Sequence, residues 1–232
     1  QNSEADITVI YAKGLYNRDK STNGCILQID EDNTIKEVLT NPMMSGECNI
    51  SLDMFIMNTD FLKQIVLEAI SKNQKSLIRD VLQARKDEFV FKAYEHKGSF
   101  FKIDSLEAYY KANLALLDAK KRDSIFNREA PIYTKVGDNA PVKYGLESNV
   151  KNSLVADGCI IEGTVENCVL FRGVKIGKNA VVRNCVLMQG TEIADGCSID
   201  SIVADKNVTI SENRVLTGSS EYPLYLGKKA KI

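Results

Sequence analysis

The sequence predicts an α/β portion followed by a parallel β-helix, and three observations carry that reading. Between Ser148 and Ile210, aliphatic residues return about every six positions: Ile176, Val182, Met188, then after a slip of one Ile193 and Ile199, and finally Ile210. Most have a small or aliphatic companion two residues earlier: Val174, Ala180, Val186, Thr191, Cys197 and Val208. Two residues apart on an extended strand means the same face. The third observation is a supply of corner residues: Gly158, Gly163, Gly173, Gly177, Gly190 and Gly196, with Asn167, Asn179, Asn184 and Asn207. These residue types tolerate positive φ. A period of six is too long for a helical turn and fits a short strand plus a corner, stacked so that several rungs share one core. An antiparallel sandwich is the alternative, but its strands recur at about 8–12 residues.

The residues before the repeat read as alternating strands and helices. Asp6–Lys13 alternates as a strand, and Asn23–Ile29 and Thr34–Leu39 are two more, joined by the turn-rich Asp30–Asn33. Asn41–Asn49 reads as a polar loop, and Ile50–Met57 as a strand. Asn58 and Thr59 suit the start of a helix running to about Ser71, with Leu62, Ile65, Val66, Ala69 and Ile70 on one apolar stripe. A short helix at Leu77–Arg85 would turn Leu77, Ile78, Val81 and Leu82 inward, and Phe89–Glu95 is a strand. Asp104 and Glu107 resemble a capping box for a helix whose buried face carries Leu106, Tyr109, Tyr110, Asn113, Leu116 and Leu117. Ala119–Asn127 is charged and reads as a link, and Pro131–Gly145 as an aperiodic connection. The tail from Ser219, with Lys228, Lys229 and Lys231, reads as solvated and mobile. The domain reading is residues 1–125 α/β, 126–147 connection and 148–232 β-helix with a short tail.

Composition narrows the function. A net charge of −1 gives no bulk attraction to nucleic acid or an anionic membrane. No apolar run approaches the roughly 20 residues needed to span a bilayer. The first residue is Gln1, which reads as a start inside a longer natural protein, and nothing there resembles a signal peptide. Six cysteines without a CxxC pair read as reduced, buried side chains of a cytoplasmic protein rather than a zinc site. Hexapeptide acyltransferases commonly use a histidine base in or beside the β-helix. The only histidine, His96, lies well before the repeat, so acyl transfer and triad hydrolysis are disfavoured, and His96 reads as structural. Neither GxxxxGK[ST] nor GxGxxG is present, and a carboxylate-bound Mg²⁺ site has no motif.

The wording of the chain resembles the second half of a sugar-1-phosphate nucleotidyltransferase, and more closely the glucose-1-phosphate adenylyltransferase family. The resemblance rests on NSLVADGCIIEG (Asn152–Gly163), on Val165–Ile193, on PIYT (Pro131–Thr134) and on YYKANLALLD (Tyr109–Asp118), which is similar to the family's YWxANxxLL helix. It implies a left-handed β-helix behind a partial, Rossmann-like nucleotidyltransferase domain. Within the family the chain looks most like the GlgD-type, non-catalytic subunit. The family reaction joins ATP and glucose 1-phosphate to give ADP-glucose and pyrophosphate, with Mg²⁺ at the reacting phosphates.

Three departures from the family pattern point to a lost active site. The family's YWxDVGT segment matches Ser99–Ser105, so Lys102 stands where a metal-holding aspartate is expected. An ammonium cannot ligate Mg²⁺ and repels a dication. The family's EKP segment matches Thr40-Asn41-Pro42, so Asn41 replaces a phosphate-binding lysine. The family's ASMGIYVF segment matches Ile50–Met57, so Asp53 replaces a glycine and Ser51 alone survives of the sugar-pocket wall. The implied reading has no catalytic residue and no metal site, with Asn41, Ser51 and Asp53 as vestiges of a substrate site. The chain would then regulate or scaffold a catalytic subunit that supplies the Mg²⁺, in a hetero- or homotetramer that answers to a phosphorylated effector. Arg172, Lys175 and Lys178 are basic enough to meet such an effector, although solvated corner charges describe them better. A catalytic member with an altered sugar pocket is the alternative.

Overall fold

The computed structural model describes residues 5–17, 24–127, 129, 131–134 and 137–232; Asn23, the start of the second expected strand, lies outside them. Chain contacts divide the protein into two compact units between Gly98 and Ser99, earlier than the boundary near residue 125 expected from sequence.

The first unit is a five-stranded sheet with helices. Strands β1 (Ile7–Asn17), β2 (Cys25–Ile29), β3 (Ile35–Thr40), β4 (Ser45–Met57) and β5 (Phe91–Glu95) lie in the order β3-β2-β4-β1-β5. β4 runs antiparallel to β1, and β5 parallel to it. The polar loop expected at Asn41–Asn49 is shorter than its composition suggests. Ser45–Asn49 joins β4 because β1 extends to Asn17 and offers ladder partners to these residues. A strand's polar side chains are no obstacle when they face solvent and a neighbour supplies the hydrogen bonds.

Helix α1 (Thr59–Ser71) starts where the caps predict, with Asn58 Oδ1 accepting from the Asp60 amide at 2.8 Å. Of its expected stripe only Ile65 is fully buried, whereas Leu62, Val66 and Ile70 are exposed. Helix α2 (Leu77–Gln83) is a short π-type turn capped by Ser76. The core unites Ile7, Val9, Leu27, Phe91 and Ala93 of the sheet with Ile65, Val81 and Leu82 of the helices.

The second unit opens with helices α3 (Leu106–Ala115) and α4 (Ala119–Ile125). Ser105, not Asp104, caps α3: its hydroxyl accepts from the Ala108 amide at 3.0 Å. The charged stretch read as a link folds as α4, because Asp118 accepts from the amides of Lys120 and Lys121.

Three five-stranded parallel sheets then form the β-helix, beginning at β6 (Lys143–Tyr144). One sheet stacks Asn149–Lys151, Thr164–Glu166, Val181–Arg183, Ser198–Asp200 and Val215–Thr217, so a turn takes seventeen residues over its later rungs. The inside is columns of like residues: Ile161, Ile176, Ile193 and Ile210 in one, Val165, Val182 and Ile199 in another. Each fully buried aliphatic side chain contributes about 1.5–3 kcal/mol relative to exposure.

The seventeen-residue turn accounts for the slip read in the sequence, since it contains two steps of six and one of five. The short step falls between Val182 and Leu187, so Leu187 is buried inside and Met188 is only half-buried. Cys185, rather than Val186, is the inward companion of Leu187. The corners use the residues expected: Asn167, Asn179, Asn184 and Asn207 all have positive φ. Gly163 and Gly177 serve differently. Neither has positive φ, and a Cβ on them would collide with the Ala180 carbonyl oxygen and the Asp195 carboxylate of the next turn.

The tail is part of the stack rather than a mobile end. Leu224–Leu226 pairs with Ile202–Ala204, and the Ile232 amide donates to the Thr209 carbonyl at 3.0 Å. Cys159, Cys168, Cys185 and Cys197 are buried free thiols of the β-helix core.

Candidate functional site

The residues flagged as a vestigial substrate site are positioned by two features of the first sheet. At the end of the β2–β3 pair, Asn41 takes φ 48°, a left-handed conformation that asparagine tolerates. Its amide donates to the Gly24 carbonyl at 2.7 Å and its Oδ1 accepts from the Gly24 amide at 2.6 Å. The side chain is therefore committed to closing a turn. In the middle of β4 the ladder slips: Met54 faces Ile10 but Ser51 faces Tyr11, so Leu52 and Asp53 form a bulge. Asp53 takes φ 56° there. A position needing φ near +56° suits glycine without strain, which is the residue the resemblance places there. Ser51 is fully buried behind it, and its Oγ accepts from the Asp53 amide at 3.1 Å.

Asn41 and Asp53 meet at one cavity of about 500 Å³, also lined by Thr40, Ser76, Ile78 and Arg79 beside the Gly24–Cys25 strand end. Sequence reasoning missed Ser76 and Arg79. Both are placed by the start of α2, where the Ser76 hydroxyl accepts from the Arg79 amide at 3.2 Å. Next to them the Asp80 carboxyl is held below the usual carboxylate range, first by the Ser76 amide and then by that of Lys75.

Lys102 belongs to the second unit, half-buried in the irregular stretch before α3. Among the described residues no group of three or more histidine, cysteine, aspartate or glutamate side chains is arranged to hold a metal ion. His96 follows the end of β5, and its backbone amide donates to the Tyr11 carbonyl at 2.7 Å.

The β-helix carries a built surface on one sheet. Val186 and Val203 point outward yet are buried, because α3 lies over them with Tyr110, flanked by Tyr109, Leu114 and Phe171. The Tyr110 hydroxyl donates to the Asn184 carbonyl at 2.7 Å. That corner is tied turn to turn by side chains: Asn152 to Asn167 at 2.7 Å, Asn167 to Asn184 at 3.3 Å and Asn184 to Asp200 at 3.1 Å. The contact between α3 and this sheet is why residues 99–125 fall in the β-helix unit.

The basic residues considered for an effector do not converge. Arg172 pairs with Asp157 at 3.3 Å and Lys175 with Glu192 at 2.7 Å, while Lys178 lines a separate cavity with Glu162. The Asp157 carboxyl is held low first by a hydrogen bond from Asn139, then by its own backbone amide and by Arg172. No helix among the described residues is long and apolar enough to cross a membrane.

Comparison with known proteins places these features. Residues 140–221 match the family model described as GlmU-like, C-terminal hexapeptide. The glycogen biosynthesis protein GlgD of Bacillus subtilis (strain 168) is 42% identical over 178 residues, covering 77% of this chain and 52% of that protein. GlgD of Geobacillus stearothermophilus is 42% identical over 132 residues, 57% of this chain and 38% of that protein. Glucose-1-phosphate adenylyltransferase of the same species is 32% identical over 187 residues, 77% of this chain and 46% of that enzyme. The chain thus spans about half the length of these relatives that it matches. Its stacked hexapeptides and its likeness to these proteins on both sides of the unit boundary place the chain with the glucose-1-phosphate adenylyltransferases, as a relative similar to the GlgD glycogen biosynthesis proteins.

Proposed function

We propose that the chain serves glycogen biosynthesis as a non-catalytic subunit, assembling in the cytoplasm with a catalytic glucose-1-phosphate adenylyltransferase and modulating its turnover or effector response. The observation that carries the reading is Asn41: its side chain is spent on the Gly24 amide, so the wall that would need a cation for a sugar phosphate carries a turn staple. Asp53 adds a negative charge to the same cavity, and Lys102 replaces a metal ligand. Higher identity to GlgD than to the adenylyltransferase supports the same assignment. In this reading the Mg²⁺ belongs to the catalytic partner, the assembly is a mixed tetramer, and a phosphorylated effector acts on the assembly.

One observation favours the alternative of an altered sugar pocket. Arg79 lines the cavity with Asn41 and Asp53, and so supplies a cation that Asn41 lacks. Pyrophosphate exchange with a panel of sugar 1-phosphates separates the two. The chain purified without a partner should show no exchange. Exchange at ordinary enzyme rates that disappears in Arg79→Ala would establish the catalytic reading instead. The triple change Lys102→Asp, Asn41→Lys and Asp53→Gly should raise phosphate-ligand binding; no gain counts against a vestigial site.

A further inference from the structure

We propose that the cavity beside Asn41 and Asp53 holds a neutral, unphosphorylated saccharide, which is bound and not turned over. Its volume of about 500 Å³ lies in the range of small-molecule sites. Its walls carry one cation, Arg79, and one anion, Asp53. The Arg79 guanidinium forms no hydrogen bond or ion pair among the described residues. Only its field reaches Asp80, whose carboxylate is taken by the amides of Ser76 and Lys75. The rest of the polar wall is uncharged. Asn41 Oδ1 accepts from the Gly24 amide, which leaves the side-chain NH₂ as a donor. Thr40 and Ser76 add hydroxyls, and Ile78 an apolar side chain. Gly24, also a wall, has a further hydroxyl beside it. Tyr16 is 4% exposed, its Oη has no hydrogen-bond partner among the described residues, and a Cβ built on Gly24 would sit 2.6 Å from that oxygen. Buried hydroxyls are ordinarily hydrogen-bonded, so an orphan next to a cavity wall points to a ligand group.

These groups select a ligand by charge and by hydrogen bonding. A phosphate dianion meets like charge at Asp53, and a cation meets like charge at Arg79. A small zwitterion satisfies those two and leaves the hydroxyls and the Asn41 amide unmatched. A sugar hydroxyl both donates and accepts. One sugar ring therefore donates to Asp53, accepts from Arg79 and the Asn41 amide, pairs with the wall hydroxyls, and offers its C–H groups to Ile78. The inference rests on the proposed loss of phosphate chemistry in this cavity. The two fail separately, since pyrophosphate exchange reads the phosphate chemistry and sugar titration reads the cavity alone.

Isothermal titration calorimetry of the 232-residue chain with glucose, maltose, glucose 1-phosphate and glycine tests it. Glucose or maltose should bind once per chain with a Kd of about 1 mM or below, and glucose 1-phosphate and glycine at least about ten-fold more weakly. Arg79→Gln and Asp53→Asn should each weaken the sugar about ten-fold. Circular dichroism should stay unchanged, because Arg79 is exposed and asparagine tolerates the left-handed backbone of position 53. Tyr16→Phe should weaken the sugar without lowering thermal stability, because the hydroxyl it removes has no partner among the described residues. Asn41→Lys together with Asp53→Gly should reverse the preference toward glucose 1-phosphate, a gain that misfolding cannot mimic. No sugar binding at about 20 mM, tighter binding of glucose 1-phosphate or glycine by the unsubstituted chain, or sugar binding indifferent to Arg79→Gln and Asp53→Asn would each overturn the proposal.

Discussion

Asn41 and Asp53 both hold left-handed backbone, and substitutions at the two have different expected costs. Asp53→Gly removes a side chain from a position at φ 56°, where glycine is unstrained, so urea denaturation should move by no more than about 0.5 kcal/mol. Asn41→Ala removes the acceptor of the Gly24 amide and places a Cβ-bearing residue without a local hydrogen bond at φ 48°. A loss of about 1–2 kcal/mol is expected. The identities of both residues were legible as departures from a family pattern. Their backbone roles were not, because a bulge and a turn staple depend on strand register and on Gly24, 17 residues away.

Asp80 sets a pH dependence at the same scale. Its folded carboxyl is depressed by the amides of Ser76 and Lys75, whereas the unfolded one is not. The contribution is present above the ordinary carboxylate value of about 4 and disappears as pH falls through the depressed value. Asp80→Asn should therefore flatten the acid limb of a stability–pH profile followed by urea titration. An acid limb identical to that of the unsubstituted chain would contradict this.

At the scale of elements, the β-helix is the part most legible in the sequence, because its repeat is local and each rung restates the same small pattern. The phase is harder to read. Corner length decides which of Val186, Leu187 and Met188 faces inward, and corners are set by stacking on the turns above and below. Leu187→Ala should cost about 2–5 kcal/mol, and Met188→Ala less than about 1.5 kcal/mol, measured by chemical denaturation. Val186 carries a second lesson: it is buried outside the β-helix, and only the chain of α3 explains why. Tyr110→Phe should lose about 1 kcal/mol with the Asn184 hydrogen bond, since the ring packing stays. The tail was misread because lysines suggest solvent, whereas strand pairing there needs only backbone and an inward Leu226.

At the scale of the molecule, helix α3 was read with the α/β portion from its place in the chain, yet its buried residues serve the second unit. Sequence order alone does not say which core a boundary helix joins. The candidate site was legible in part: Asn41 and Asp53 share a cavity, whereas Arg79 lines it through the start of α2, a placement that depends on tertiary packing. The proposed role makes the β-helix and its covering helix a platform for assembly, and the altered cavity a remnant. Adenylyltransferase activity of the catalytic relative, assayed with and without this chain after testing for co-purification, addresses that role directly. The account predicts a stable complex whose turnover or effector response differs from that of the catalytic protein alone, with no ADP-glucose made by this chain by itself. Ordinary turnover by this chain without a partner, together with no complex, would contradict it.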